Sequence, residues 1–245
     1  MVLAWRWFVS ILYVVQNAVM MLILGIVFLP YAVVSSAGAR QACKLYARWA
    51  LFTARVLIGL RTEVRGNVPT DEVMIAAKHQ SFLDILVIFD AVPIPKFIMK
   101  RELLWTPIIG LYAYRLGCVP VNRGKRGQAI KKMVADVRSG AAMAGQLVIY
   151  PQGTRVRPGQ HKPYKIGTYA LSDQLQQPCV PAATNAGLFW PKGTMLRKPG
   201  LAVVEFLDPI APGSMTQKEF MAELETSVEA RSNALMEEAG FIAEN

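Results

Sequence analysis

The most extended pattern along the chain is an apolar run near its N-terminal end. No charged side chain occurs from Trp7 to Ala39, and the stretch from Phe8 to Val34 is predominantly apolar. This stretch exceeds the about 20 residues that cross a bilayer and the about 7–15 residues of a signal-peptide core. We therefore predict membrane-anchoring helices over 1–60. They either span the bilayer or, if Gly25 and Pro30 break the run, form an interfacial hairpin; a cleaved signal peptide is the remaining alternative.

Beyond this run, short apolar segments alternate with stretches of helical periodicity. Within 126–144, apolar residues recur at the i, i+3, i+4 and i+7 positions, and Gly145 is placed to end the helix. Such alternation predicts an α/β catalytic domain over 61–215, followed by an acidic C-terminal helix over 216–245. The predicted strands are 72–77, 96–99, 117–122, 147–150, 179–184 and 201–206.

Charge is distributed unevenly. The chain carries a net charge of +10, whereas residues 216–245 carry seven acidic residues against Lys218 and Arg231. Residues 96–165 carry fourteen Lys or Arg against two acidic residues, and this excess predicts a surface that attracts anions. Phosphate or an acidic carrier protein fits such a surface. The basic residues are not interleaved with stacking aromatics, so we expect no nucleic-acid partner.

The basic residues directly after the apolar run predict its orientation. Arg40, Lys44, Arg48 and Arg55 recur at near-helical spacing, whereas only Arg6 precedes the run. This bias predicts a cytoplasmic catalytic domain and a basic helix at an anionic membrane surface, with an ordinary solvated helix as the alternative. The chain has three widely spaced cysteines and two histidines, so we expect neither a disulfide scaffold nor a metal site.

A first candidate for catalysis lies at the end of the strand predicted over 72–77. His79 is followed by Gln80 and Ser81, and Asp84 falls five residues after His79, in the first turn of a predicted helix. A carboxylate at this position can orient the imidazole and stabilise its protonated form, so the pair is a candidate general base. The alternative is structural: Ser81 caps the helix, and Asp84 completes a capping box.

A second candidate follows the strand predicted over 147–150. The segment Tyr150-Pro-Gln-Gly-Thr-Arg155 places a turn glycine beside a hydroxyl and an arginine. A guanidinium can bind phosphate oxygens with two hydrogen bonds, and glycine lets the backbone approach a ligand closely. A phosphate site and a plain surface turn both fit this composition.

Together these motifs resemble the glycerolipid acyltransferase family of bacterial lysophosphatidic acid acyltransferases, over about residues 60–210. The first block is His79-Gln-Ser followed by Asp84, and the third is Pro151 to Arg155. The fourth is the Val180-Pro181 pair after a strand. The second block is matched by Lys100-Arg-Glu-Leu103, Pro107, Gly110, Gly117 and Arg123.

The resemblance implies a mixed β-sheet flanked by helices and transfer of an acyl chain to the sn-2 hydroxyl of lysophosphatidic acid. His79 would be the general base and Asp84 its orienting partner. The donor would be acyl-CoA or acyl-acyl carrier protein, with no cofactor, at the bacterial inner (cytoplasmic) membrane. The implied acceptor-binding residues are Lys100, Arg123, Gln152, Gly153, Thr154 and Arg155.

Two residues depart from the family pattern. Gln152 stands where the third block usually carries Glu, which loses a charge but keeps hydrogen-bonding capacity. We therefore expect Gln152 to position other groups rather than to catalyse. Lys78 stands where many relatives carry Asn. Its positive charge can disfavour protonation of the His79 imidazole or contact an anionic substrate.

Other functions fit parts of the same pattern. A hydrolase would use His79 and Asp84 to activate water. A non-catalytic membrane protein would keep the four blocks only as a lipid-binding surface. Within the acyltransferases, another lysolipid, such as a lyso-ornithine lipid, is the alternative acceptor.

Overall fold

The computed structural model describes residues 2–121, 135 and 144–241. Of the helix predicted over 126–144, only residue 135, which is helical, and residue 144 fall within these ranges. The helices are α1 (Val2–Val27), α2 (Leu29–Val34), α3 (Ser36–Thr53), α4 (Leu83–Ala91), α5 (Ile109–Arg115), α6 (Gly167–Leu175) and α7 (Gln217–Glu238). A π-helical turn (Ala54–Ile58) continues α3, and short 3-10 helices occupy Arg101–Trp105 and Ala186–Leu188.

The described strands form one seven-stranded mixed sheet in the order β1-β7-β6-β2-β5-β3-β4. Strands β2 to β6 run parallel to one another, while β7 is antiparallel to β6 and β1 is parallel to β7. The α/β prediction is confirmed, and each predicted strand is present within two residues of its expected bounds. The strands are β1 (Leu60–Arg65), β2 (Met74–Ala77), β3 (Pro95–Lys100), β4 (Val119–Val121), β5 (Gln146–Ile149), β6 (Cys179–Thr184) and β7 (Gly200–Phe206).

Helices cover both faces of the sheet. All four residues of β2 are apolar because both of its faces are buried. Successive side chains of a strand point to opposite faces. Ile75 and Ala77 pack into the cluster that contains α4, whereas Met74 and Ala76 pack into the cluster that contains α6 and α7. The acidic C-terminal helix is therefore part of the core, because α7 buries an apolar stripe formed by Phe220, Leu224, Val228, Leu235 and Met236.

The N-terminal helices fold back on one another. Tyr13 of α1 donates its hydroxyl to the Ala50 carbonyl of α3 (3.1 Å), and Gln16 bonds Thr53 (3.0 Å) and accepts from Trp49 (2.6 Å). Within the described residues, α1 is the one helix long and apolar enough to cross a membrane.

The break in the apolar run differs in part from the prediction. Pro30 lies in the first turn of α2, as its missing N–H allows. Gly25 lies inside α1 and does not break it; its carbonyl accepts the Tyr112 hydroxyl of α5 (3.0 Å), and a side chain there would collide with Ile108.

The sequence suggested that the basic side chains of α3 face a membrane surface. In the structure, two of them are directed elsewhere. Lys44 donates to the backbone carbonyls of Asp90 (3.1 Å) and Val92 (2.8 Å), and Arg48 forms an ion pair with Asp90 (2.8 Å). The C-terminal end of α4 carries unpaired carbonyls and a partial negative charge, which these cations neutralise. Lys44 and Arg48 therefore fix α3 to the α/β domain.

Candidate active site

The topology of the sheet gathers the predicted site residues at one edge. Because β2, β3, β5 and β6 are parallel, their carboxyl ends meet at the same edge, where α/β proteins commonly bind ligands. His79 follows β2, Lys100 ends β3, and Tyr150 follows β5 directly. Motifs that are separated by about seventy residues in sequence are thereby brought together.

His79 and Asp84 form a hydrogen-bonded pair at this edge. Nδ1 of His79 lies 2.9 Å from Oδ1 of Asp84, and the Asp84 side chain is fully buried while that of His79 is 13% exposed. An ionised carboxylate can only accept, so Nδ1 carries the proton and Nε2 is left to accept one. This is the tautomer that a general base requires.

The second oxygen of Asp84 holds the start of α4. Oδ2 accepts from the backbone amides of Gln80 (2.9 Å) and Ser81 (2.7 Å), and the Ser81 hydroxyl accepts from the Leu83 amide (3.1 Å). One carboxylate therefore orients the imidazole and also holds the loop before α4, whose N-cap residue Phe82 has no side-chain cap. Its position is fixed from both sides.

Tyr150 is a site residue for which no role was predicted from the sequence. Its ring stacks on the His79 imidazole with centroids 3.8 Å apart, and its hydroxyl lies 3.3 Å from Oδ1 of Asp84. Burial, followed by the charge of Asp84, raises the pKa of Tyr150 well above its usual value, so the hydroxyl stays protonated and donates. Its position next to the third block was the available signal.

The third block forms a tight turn that is attached to His79. The amide of Gly153 donates to the Tyr150 carbonyl (2.8 Å), and its φ of +68° suits glycine. The Val156 amide donates to the carbonyl of His79 (2.8 Å). This hydrogen bond fixes the turn next to the segment that carries the imidazole. Thr154 is partly buried, and Arg155 is exposed.

Further lysines surround this turn and were not singled out from the sequence. Nζ of Lys165 lies against Gly153, where a side chain on the glycine would collide with it. Nζ of Lys192 lies 3.5 Å from the carbonyl of Arg155. The edge of the sheet beside the imidazole therefore carries several positive charges, as an anionic ligand requires.

Gln152 is buried beneath the turn rather than presented at its surface. Its amide nitrogen donates to the Lys162 carbonyl (3.2 Å) and approaches Oε1 of Glu229 on α7 (3.4 Å). Glu229 also forms an ion pair with Lys78, the residue before His79. Lys78 is thus directed to α7, and neither His79 nor a substrate is needed to explain its charge.

The second-block residues are less closely placed. Lys100 pairs with Glu102 (3.2 Å) and is 45% exposed, and Arg123 lies outside the described residues. In the described part of the chain, no three His, Cys, Asp or Glu side chains are grouped so as to hold a metal ion.

Trp190 connects the N-terminal helices to the loop that carries His79 and Ser81. Its carbonyl accepts the Ser81 hydroxyl (2.6 Å), and its ring contacts Tyr13 of α1 edge-to-face with centroids 5.6 Å apart. The guanidinium of Arg197 lies 4.2 Å from the same ring, and the Arg197 amide donates to Ser10 of α1 (3.0 Å). Burial lowers the pKa of Arg197 to about 10, which leaves it charged at neutral pH.

Comparison with known proteins shows what the chain is similar to. The profile of the Acyltransferase family matches residues 61–185. The chain is 30% identical to 1-acyl-sn-glycerol-3-phosphate acyltransferase of Pseudomonas aeruginosa over 79% of this chain and 76% of that protein. It is 31% identical to the alpha form of the mouse enzyme with that name, over 69% of this chain and 61% of that protein.

A solved structure has the same fold. The crystal structure of the 1-acyl-sn-glycerophosphate acyltransferase PlsC from Thermotoga maritima superposes with a TM-score of 0.77 at 18% identity, over 94% of this chain and 97% of that one. The family profile covers half of the chain and includes both the His79 loop and the Gly153 turn. The chain therefore belongs to the Acyltransferase family.

Proposed function

We propose that this acyltransferase moves a fatty acyl chain from a thioester donor to the sn-2 hydroxyl of 1-acyl-sn-glycerol-3-phosphate, giving phosphatidic acid. The observation that carries the proposal is the hydrogen bond from the Val156 amide to the His79 carbonyl. It holds the candidate base, His79, next to the basic turn Gly153-Thr154-Arg155. A hydroxyl at the base and a phosphate at the turn would belong to one small molecule. The names of the curated relatives support the same substrate.

In the proposed reaction, Nε2 of His79 takes the proton of the acceptor hydroxyl as its oxygen attacks the thioester carbonyl. The C–S bond of the resulting tetrahedral intermediate then breaks, and the thiolate receives the proton from the imidazolium. Asp84 stabilises the imidazolium in between, and the Tyr150 ring restricts the imidazole to one plane. Acyl transfer is direct, without a covalent acyl-enzyme.

The acceptor phosphate is assigned to the turn Gly153-Thr154-Arg155, with Lys100 and Arg123 as further candidates from the second block. Arg155 is exposed and can form two hydrogen bonds with phosphate oxygens. Gln152 supports this turn from beneath. The donor is acyl-CoA or acyl-acyl carrier protein, both of which are anionic and suit the basic surface.

Incubation of the full chain with lysophosphatidic acid and either thioester tests this proposal. We expect phosphatidic acid from the wild type, and in Arg155→Ala a rise of about tenfold or more in the KM for lysophosphatidic acid. The kcat should change less, since the phosphate contact is present before and during transfer.

Arg157→Ala is the matched control, because Arg157 is also exposed and lies two residues further along the same loop. Its KM should remain near that of the wild type. Acylation of lyso-ornithine lipid in preference to lysophosphatidic acid would contradict the acceptor. Release of free fatty acid would indicate a hydrolase, and absence of product with both donors would favour a lipid-binding role.

We further propose that α1 lies in one leaflet of the membrane, with the catalytic domain on the cytoplasmic face. Both halves of α1 contact the catalytic domain: Ser10 binds Arg197, and Gly25 binds Tyr112. These points are about 22 Å apart along the helix, so α1 runs along the domain rather than away from it. Its outer face is apolar and exposed at Phe8, Ile11, Leu12, Val15, Val19, Leu22, Ile23 and Ile26.

Thiol labelling in membrane vesicles tests this orientation. Burial raises the pKa of the native thiols Cys43, Cys118 and Cys179, so they should react slowly at neutral pH. Cysteines introduced by Arg6→Cys and Ser214→Cys should both react with an impermeant maleimide in inverted vesicles and not in right-side-out vesicles. Labelling of Arg6→Cys from the periplasmic side would indicate that α1 spans the bilayer.

A further inference from the structure

Glu229 of α7 is a partly buried carboxylate that belongs to no predicted motif. Its side chain is 17% exposed, and the open side borders a cavity of about 260 Å³. The carboxylate pairs with Lys78 and accepts the Tyr164 hydroxyl (2.9 Å), while the Gln152 amide lies 3.4 Å away. A carboxylate that is largely withdrawn from water needs such partners.

The partners of Glu229 come from separate parts of the active site. Lys78 precedes His79, and its side chain is only 2% exposed. Gln152 lies near the start of the 151–165 loop, and Tyr164 lies near its end. Burial, and then the charge of Glu229, raise the pKa of Tyr164, so its hydroxyl remains a donor. One carboxylate thus connects both ends of the loop that carries Gly153 and Arg155 to the segment after β2 that carries His79.

We propose that Glu229 is a positioning residue for acceptor binding, which holds the Gly153-Thr154-Arg155 turn at a fixed distance from His79. Its negative charge stands in for the carboxylate that the third block usually carries at position 152. This inference rests on the proposed function, because the turn is taken to bind the acceptor phosphate.

The charges around position 152 support this exchange. A glutamate at 152 would place a second carboxylate beside Glu229. Among the described residues, Lys78 is the cation that pairs with Glu229, so two negative charges would share one partner. The neutral amide of Gln152 avoids this repulsion and donates instead. The two departures from the family pattern, Lys78 and Gln152, therefore meet at the same carboxylate.

Moving the negative charge from 229 to 152 tests the proposal. In Glu229→Gln, Lys78 loses its partner, and we expect the KM for lysophosphatidic acid to rise by about tenfold with kcat changed by less than about threefold. Gln152→Glu alone should also raise KM. The double variant Gln152→Glu/Glu229→Gln keeps one carboxylate in the same cluster, and its KM should return to within about threefold of the wild type.

Hydrogen exchange gives a readout that does not depend on turnover. The Val156 and Lys165 amides bond the carbonyls of His79 and Pro151, and both should exchange faster in Glu229→Gln and slowly again in the double variant. Glu225→Gln is the matched control, because Glu225 lies one turn earlier on α7 and binds the exposed His161 (2.6 Å). It should resemble the wild type in both measurements.

The outcomes separate this inference from the proposed function. No phosphatidic acid from the wild type would overturn the proposed function, whereas an active wild type with an unchanged KM in Glu229→Gln would overturn the role of Glu229. If Glu229→Gln fails to fold, the double variant decides. A folded double variant with near-normal KM supports the role, and one that is unfolded or remains impaired overturns it.

Discussion

Replacing His79 with alanine is expected to lower the kcat for acyl transfer by about 10²–10⁴-fold, the usual contribution of a general base. The acceptor hydroxyl would then have no group to take its proton, although the turn that binds its phosphate would remain. The KM for lysophosphatidic acid should change much less than kcat. Initial rates at varied acceptor concentration, measured with saturating thioester, check this expectation.

His161→Ala is the control for this substitution. His161 is the second histidine of the chain, is exposed, and binds Glu225 on α7 rather than a group at the sheet edge. Its activity should match that of the wild type, and thermal unfolding should show that both variants are folded. Substantial transfer by His79→Ala would contradict the assignment of His79 as the base.

The substitution Asp84→Asn is expected to reduce kcat by about 10²-fold or more, although it changes the side-chain volume very little. The amides of Gln80 and Ser81 both donate to Oδ2, so they require an oxygen at that position. The side-chain NH2 group of the asparagine must then face His79 and donate to Nδ1. The imidazole proton moves to Nε2, which can no longer accept the proton of the acceptor.

Asp90→Asn provides the comparison at the other end of α4. Asp90 is partly exposed and pairs with Arg48, away from His79. A surface pair of this kind contributes at most about 1 kcal/mol, so the variant should keep its activity and lose little stability. Equal losses in Asp84→Asn and Asp90→Asn would point to a general effect on α4 and not to the tautomer of His79.

The sequence predicted the sheet well because most of its strands are buried on both faces. Such strands are continuous apolar runs, as in β2 and β6, and they stand out against polar loops. The strand β1 was missed because Leu60–Arg65 is an outer strand that, among the described strands, pairs with β7 alone. Its charged residues Arg61, Glu63 and Arg65 hide the pattern, since one face of an edge strand meets water.

Site residues were predictable only where the signal is local. His79 and Asp84 share one loop and one helix turn, so their spacing alone suggests a contact. Glu229 meets Lys78 across about 150 residues of sequence, and only the packing of α7 on the sheet brings them together. A glutamate beside the apolar stripe of α7, and a lysine at the end of an apolar strand, were the available signs of a buried pair.

The contact between Tyr13 and Trp190 joins the proposed membrane anchor to the loop that carries His79. Trp190 accepts the hydroxyl of Ser81, which lies between His79 and Asp84 in the chain. An unrelated apolar helix grafted onto this domain would leave the Trp190 ring without its contact to Tyr13 and the Arg197 amide without the Ser10 hydroxyl. Anchor and catalytic loop are therefore expected to coevolve as one inherited unit.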